Sequence, residues 1–167
     1  TCTTWRDAWR ATDDKRRGLR FDAIIQLPAE FYDADGKLRH VNAIAEHPSG
    51  DWLCIALQGV SYDMYIVDSA FQILKKLSHS VYDATVSEDR IFYSWMYSPR
   101  VISLDVNGFA QSAEHTLQAG DLGPDGLVPE GYGELALAPN HLLFAVGYSA
   151  DGDEYSVVVA LDTRDLR

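Results

Sequence analysis

Four aspartates end apolar runs and stand before turns: Phe31-Tyr32-Asp33, Ile66-Val67-Asp68, Ser103-Leu104-Asp105 and Ala160-Leu161-Asp162. Carboxylates placed alike along a chain either converge on a shared site or each hold the backbone amides of their own turn. The second role is expected here, because Asp directly after a strand is placed to bond a tight turn. The five histidines are His40, His47, His79, His115 and His141. No two have the close spacing of a zinc motif and no cysteine pair accompanies them, so no metal site is expected. His40, His79 and His115 are expected at equivalent strand ends as hydrogen-bonded structural residues. His47 and His141 are expected in exposed first turns. Asp151-Gly152-Asp153-Glu154 lacks the twelve-residue ligand loop of the common calcium motif. The chain has no Gly-x-Ser-x-Gly nucleophile context and no Gly-x-Gly-x-x-Gly or phosphate loop. Gly131-Tyr132-Gly133 opens a strand, which makes a dinucleotide loop a poor fit. No catalytic residue and no cofactor is expected.

The elements that carry these residues are short strands. The four aspartates lie about 35, 37 and 57 residues apart, and a strand-rich unit recurring near 40 residues is the signature of a propeller blade. From residue 19 onward, runs such as Val41 to Ala45, Trp52 to Leu57, Met64 to Val67 and Phe71 to Leu77 are separated by turns. His47-Pro48-Ser49-Gly50-Asp51 and Ser87-Glu88-Asp89 mark first turns, and Asp35-Gly36 and Asn107-Gly108 are strong turn pairs. Blade-like units are expected near 41–79, 82–118 and 133–167. The expected fold is all-β, with antiparallel four-stranded blades of a partial β-propeller. A self-contained β-sandwich of about ten strands is the alternative.

Two segments fall outside this pattern. Residues 1–20 read as an N-terminal helix or arm. Thr4 and Asp7 resemble a helix cap, and Trp5 and Trp9 would share one helical face. Residues 21–167 then form the propeller-like domain, with a Gly-, Pro- and Asp-rich insertion at 119–132. Exposed Trp and long irregular loops are frequent contact points. The candidate partner-binding residues are therefore Trp5, Trp9, Asp121, Leu122, Leu127, Val128 and Tyr132.

Composition limits the partners. The 167 residues carry 25 acidic and 14 basic side chains, a net charge of −11. Duplex nucleic acid requires a basic footprint and is not an expected partner. The apolar runs are too short to cross a bilayer as helices. Thr1-Cys2-Thr3-Thr4 is not an apolar leader, so a cytoplasmic or nuclear address is expected. Cys54, inside Trp52-Leu53-Cys54-Ile55-Ala56-Leu57, is expected as a buried free thiol.

The spacing from His40 to Asp68 and from His79 to Asp105 resembles the His-to-Asp framework of WD-repeat blades. Val41 to Leu53 is similar to the first hairpin of such a blade. No unit has Trp before its Asp: Tyr32, Val67, Leu104 and Leu161 stand there. The segments Leu137 to Ala145 and Asp151 to Tyr155 also resemble the propellers of prolyl-oligopeptidase-type peptidases. The resemblance implies a protein-interaction module or scaffold. Its partner would be a protein, or the remaining blades of a larger chain, because closed propellers have about four to eight blades. A substrate-gating propeller of an enzyme and a small acidic enzyme inhibitor are the alternatives.

Overall fold

The computed structural model describes residues 27–59, 62–78, 80–95, 97–118, 129–148 and 157–167. After a 3₁₀ turn at Ala29–Phe31 come eleven strands: β1 (His40–Glu46), β2 (Trp52–Gln58), β3 (Asp63–Asp68), β4 (Ile73–Ser78), β5 (Val81–Val86), β6 (Arg90–Trp95), β7 (Arg100–Asp105), β8 (Gln111–Thr116), β9 (Gly131–Ala138), β10 (Leu142–Tyr148) and β11 (Val157–Asp162). They form three separate antiparallel sheets in sequence order, β1-β2-β3-β4, β5-β6-β7-β8 and β9-β10-β11. The blade units expected from the repeat are present. A two-sheet sandwich is not what the chain forms, since each sheet closes on consecutive strands. Among the described residues the third sheet has no fourth strand.

The middle strands of the two four-stranded sheets, β2, β3, β6 and β7, are buried on both faces. In β2, Cys54 and Ala56 face the second sheet, while Ile55 and Leu57 face the opposite way. Burial on both sides explains why β2 and β3 read as continuous apolar runs rather than as alternating ones. The outermost strands carry polar and charged residues instead, Lys75 and Lys76 in β4, Gln111 and Glu114 in β8, which keeps those edges soluble.

Three apolar layers hold the stack. The first and second sheets close over Cys54, Ala56, Met64 and Ile66 against Val81, Ile91, Tyr93 and Ile102. The second and third close over Phe92 and Val101 against Tyr132, Leu143, Ala145 and Leu161. The far side of the first sheet is covered by Phe31 and Leu27. Cys54 is a free buried thiol, and burial pushes it up to about 12. It is therefore a packing residue with little thiolate character.

The four aspartates do one job four times. Each accepts on Oδ1 from the amide two residues on: Asp33 from Asp35, Asp68 from Ala70, Asp105 from Asn107 and Asp162 from Arg164. Asp33 and Asp68 also take the amide four residues on, from Lys37 and Gln72. The turn then passes through a left-handed residue, Gly36, Phe71, Phe109 or Leu166, with φ of 73°, 60°, 55° and 58°. That conformation costs a bulky residue about 1–2 kcal/mol. Packing offsets the cost: Phe71 lies on the far-side layer, Phe109 on the first joint, and Leu166 is buried in the second. The aspartates thus fix the hairpin between third and fourth strand positions, and they do not converge.

Candidate functional site

The chemistry-bearing residues collect where sheet meets sheet. The innermost strand of each sheet is irregular at one matching place: the register shifts between Val41 and Ala43, between Val81 and Ala84, and on β9 between Tyr132 and Leu135. Asn42, Asp83 and Glu134 stand at these bulges. Asp83 joins two sheets. Its Oδ2 accepts from the Leu135 amide at 2.7 Å and its Oδ1 from the Ala84 amide at 2.8 Å. Beside it, the buried Ser94 hydroxyl donates to the Gly133 carbonyl at 2.7 Å. Burial raises the Asp83 carboxyl above its usual range, with Glu134 adding like-charge repulsion.

Asp83→Ala should cost about 1–3 kcal/mol, because the Leu135 amide loses its acceptor inside the joint. The pH dependence has a definite sign. A carboxyl raised by folding binds protons more tightly when folded, so wild type gains stability relative to the non-titrating variant as pH falls. The deficit of D83A should widen between about pH 7 and pH 4. Urea melts at several pH values check this, and a deficit that narrows on acidification refutes it.

At the rim, the first residue of β2, β6 and β10 occupies one equivalent position. Trp52 stacks on His47, with ring centres 4.5 Å apart, and meets the Phe109 turn of the second sheet edge-on at 5.7 Å. His47 Nε2 reaches the Glu88 carbonyl at 3.1 Å. Arg90 donates from Nη1 to the Thr163 and Arg164 carbonyls of the third sheet, at 2.9 and 3.0 Å. Each residue thus clasps the turn of the next sheet. Leu142 holds the same position on the third sheet and is exposed.

Among the described residues, both ends of the stack expose apolar side chains. On β10 and β11, Leu143, Ala145 and Leu161 face the second sheet. Strand alternation therefore turns Leu142, Phe144, Val158 and Ala160 outward, and Val158 is 63% exposed. At the opposite end Phe31 points into the first sheet, so its neighbour Tyr32 and the bridged Leu38 point away from it. Ile44, between the inward Ala43 and Ala45, lies on that same end at 65% exposure. Of the seven large apolar side chains that are exposed among the described residues, five belong to these ends; Leu74 and Tyr97 do not.

Beside a cavity of about 570 Å³ between residues 27–30 and 71–73, two smaller ones lie among the described residues. One, of about 290 Å³, is bounded by Ser87, Glu88, Asp89, Asn140, His141 and Thr163 between the second and third sheets. The other, of about 280 Å³, is lined by Ser80, Trp95, Tyr97, Ser98 and Arg100. There the Arg100 guanidinium lies 4.4 Å from the Trp95 ring centre and is held by Glu114. Among the described residues no three His, Cys, Asp or Glu side chains gather around a point.

Trp5, Trp9, Asp121, Leu122, Leu127 and Val128 lie outside the described residues, as does most of the 119–132 insertion. Tyr132 is corrected by the structure. Its ring is wholly buried between the second and third sheets, because the strand begins at Gly131 and the bulge between Tyr132 and Leu135 turns it inward. The histidines need a second correction. His40 opens β1 while His115 is the penultimate residue of β8, so these two positions are not equivalent; His79 is outside the described residues. His47 and His141 do share the first turn.

No protein-family model matches the sequence, and no curated protein sequence matches it. Solved structures match in shape. BamB from Moraxella catarrhalis aligns at 16% identity and TM-score 0.54, over 81% of this chain and 36% of its own. Hydrazine synthase of Kuenenia stuttgartiensis aligns at 13% identity and TM-score 0.59, over 77% and 36%. The Dos1 propeller aligns at 14% identity and TM-score 0.53, over 80% and 35%. The chain spans about a third of the length of each. At such identities the likeness concerns the fold alone, and with three consecutive antiparallel sheets and the repeated Asp turn it makes this chain a run of β-propeller blades.

Proposed function

We propose that the chain is a protein-interaction module, a scaffold of propeller blades that works inside a larger assembly rather than as an enzyme. One observation carries the reading: the exposed large apolar side chains gather on the two end faces of the stack, where propeller blades meet other blades. Contiguous exposed apolar surface marks an interaction site. The partner is a protein, or further blades, and not duplex nucleic acid, since the net charge is −11. The WD-repeat resemblance enters this proposal only as a spacing, because the carboxylates of Asp68 and Asp105 are held by their own turn amides.

A photo-cross-linking residue at position 158, with a control at exposed Asp35, tests the reading in an extract of the native cells. The chain should run in an assembly well above 18.6 kDa and cross-link through position 158 far more than through position 35. A chain that runs alone, or cross-links equally from both positions, refutes it.

A further inference from the structure

The rims of the two joints repeat one another bond for bond, and the second lacks a ring that the first has. The Ser69 amide donates to the Asp51 carbonyl, the Val106 amide to the Asp89 carbonyl and the Thr163 amide to the His141 carbonyl. Asp89 and His141 are therefore equivalent, and so are the residues just before them, Glu88 and Asn140. The His47 amide donates to the Trp52 carbonyl and the Ser87 amide to the Arg90 carbonyl, so Ser87 stands where His47 stands. In the first joint the His47 imidazole fills the space between the sheets. It lies on the Trp52 ring, 4.5 Å between centres and 23° from parallel, with Nδ1 2.8 Å from the Ser49 hydroxyl and Nε2 3.1 Å from the Glu88 carbonyl of the second sheet.

The second joint keeps the surroundings of that ring. Asn140 takes the place of Glu88, Thr163 that of Val106, and Arg90 that of Trp52, with its guanidinium fixed by the Thr163 and Arg164 carbonyls. A guanidinium plane stacks on an aromatic ring much as an indole does. Ser87 reaches no further than its own turn, where its hydroxyl meets the Asp89 carboxylate and the Arg90 carbonyl. In place of the ring lies the cavity of about 290 Å³, with Leu137 and Ala138 as apolar walls beside Asn140, His141 and Thr163. We propose that this cavity is a binding site for an aromatic nitrogen ring of imidazole size, carried on a small molecule or on a histidine of a partner protein. Its volume sits at the lower end of ligand pockets, which suits one small ring. Glu88 and Asp89 also border the cavity and attract cations of any shape. The fit that His47 shows in the first joint separates a ring from a mere charge. The site lies inside the second joint and does not depend on what covers the ends of the stack.

Amide NMR of the purified full chain, titrated with imidazole, reads the site. Shifts should gather on the amides of Ser87, Glu88, Asn140, His141 and Thr163, with a Kd of about 1 mM, ordinary for a ligand of so few atoms. Ser87→His supplies the ring from the chain itself and should weaken imidazole about tenfold or more, and Ala138→Leu, which fills the space from the other wall, should do the same. Ser87→Ala leaves the space open and should bind within about twofold of wild type. Cyclopentylamine, a cation of similar size without an aromatic ring, should bind about tenfold more weakly than imidazole. N-acetylhistidine methylamide sorts the two sources. Tighter binding than imidazole assigns the ring to a partner's histidine, and equal or weaker binding assigns it to a small molecule. An absence of shifts at these amides, equal binding of cyclopentylamine, or undiminished binding to S87H overturns the proposal.

Discussion

Asp63→Ala should destabilise the fold by about 3–5 kcal/mol, the cost of breaking a buried ion pair from one side. Asp63 is buried at the head of β3, and its Oδ2 lies 3.3 Å from Arg39 Nη1 and 3.4 Å from Lys76 Nζ. Lys76 is largely exposed and has water as an alternative. Arg39 does not. Its side chain is nine-tenths buried, passing close under Gly59, with Nη1 on the Glu30 carbonyl and the Tyr65 hydroxyl and Nη2 on the Leu57 carbonyl. Removing the carboxylate breaks a buried charge pair and costs more than the roughly 1 kcal/mol of one ordinary hydrogen bond. Replacing both partners, as Arg39→Met with Asp63→Leu, should recover most of the loss, because an apolar pair of similar size has no charge to desolvate. Urea unfolding of the two single variants and the double variant measures this. A loss under about 1 kcal/mol for D63A, or an additive double variant, would show that the pair is solvated and the argument wrong.

The parts of this fold legible in the sequence were those with a local cause. Asp33, Asp68, Asp105 and Asp162 announced the repeat because an Asx-type turn is set by a side chain and amides two to four residues away. The strand runs were legible because burial on both faces leaves a continuous apolar signal. The residues that mattered at the joints were less visible. Phe71, Phe109 and Leu166 take a left-handed conformation that their types disfavour, and only packing between sheets compensates it. In hindsight their signal is a large apolar residue three or four positions after Asp68, Asp105 and Asp162. Asp83, Ser94 and Arg90 act on the neighbouring sheet, more than 35 residues away along the chain, and no local pattern marks them. Tyr132 was misplaced for a related reason. The bounds 119–132 put it at the end of the insertion, whereas it is the second residue of an inner strand whose bulge brings the Tyr side chain into the core.

Phe31→Ala should cost about 3–5 kcal/mol, and its consequences should be confined to one end of the stack. Phe31 is fully buried and lies with its ring centre 5.2 Å from that of Tyr65, over Ile55, Leu57 and Val67. No strand of a neighbouring sheet covers this face among the described residues. The cover is the short 27–39 segment, and Phe31 is its one fully buried aromatic plug. Its backbone is tied by the Phe31 amide on the Pro28 carbonyl, the Arg39 amide on the Phe31 carbonyl and the Asp33 turn, and its last residue, Arg39, ties it to Leu57, Asp63 and Tyr65 of the first sheet. Truncation therefore removes an aromatic side chain from a layer that has little else to collapse into the space. Phe31→Leu keeps most of the volume and should cost less than about 1.5 kcal/mol. The joints between the three sheets do not touch Phe31, so hydrogen exchange in F31A should quicken first in β1–β4 and leave β9–β11 near wild type until global unfolding. A cost below about 1 kcal/mol, or exchange that quickens equally in all three sheets, would mean that the 27–39 segment does not cap the stack.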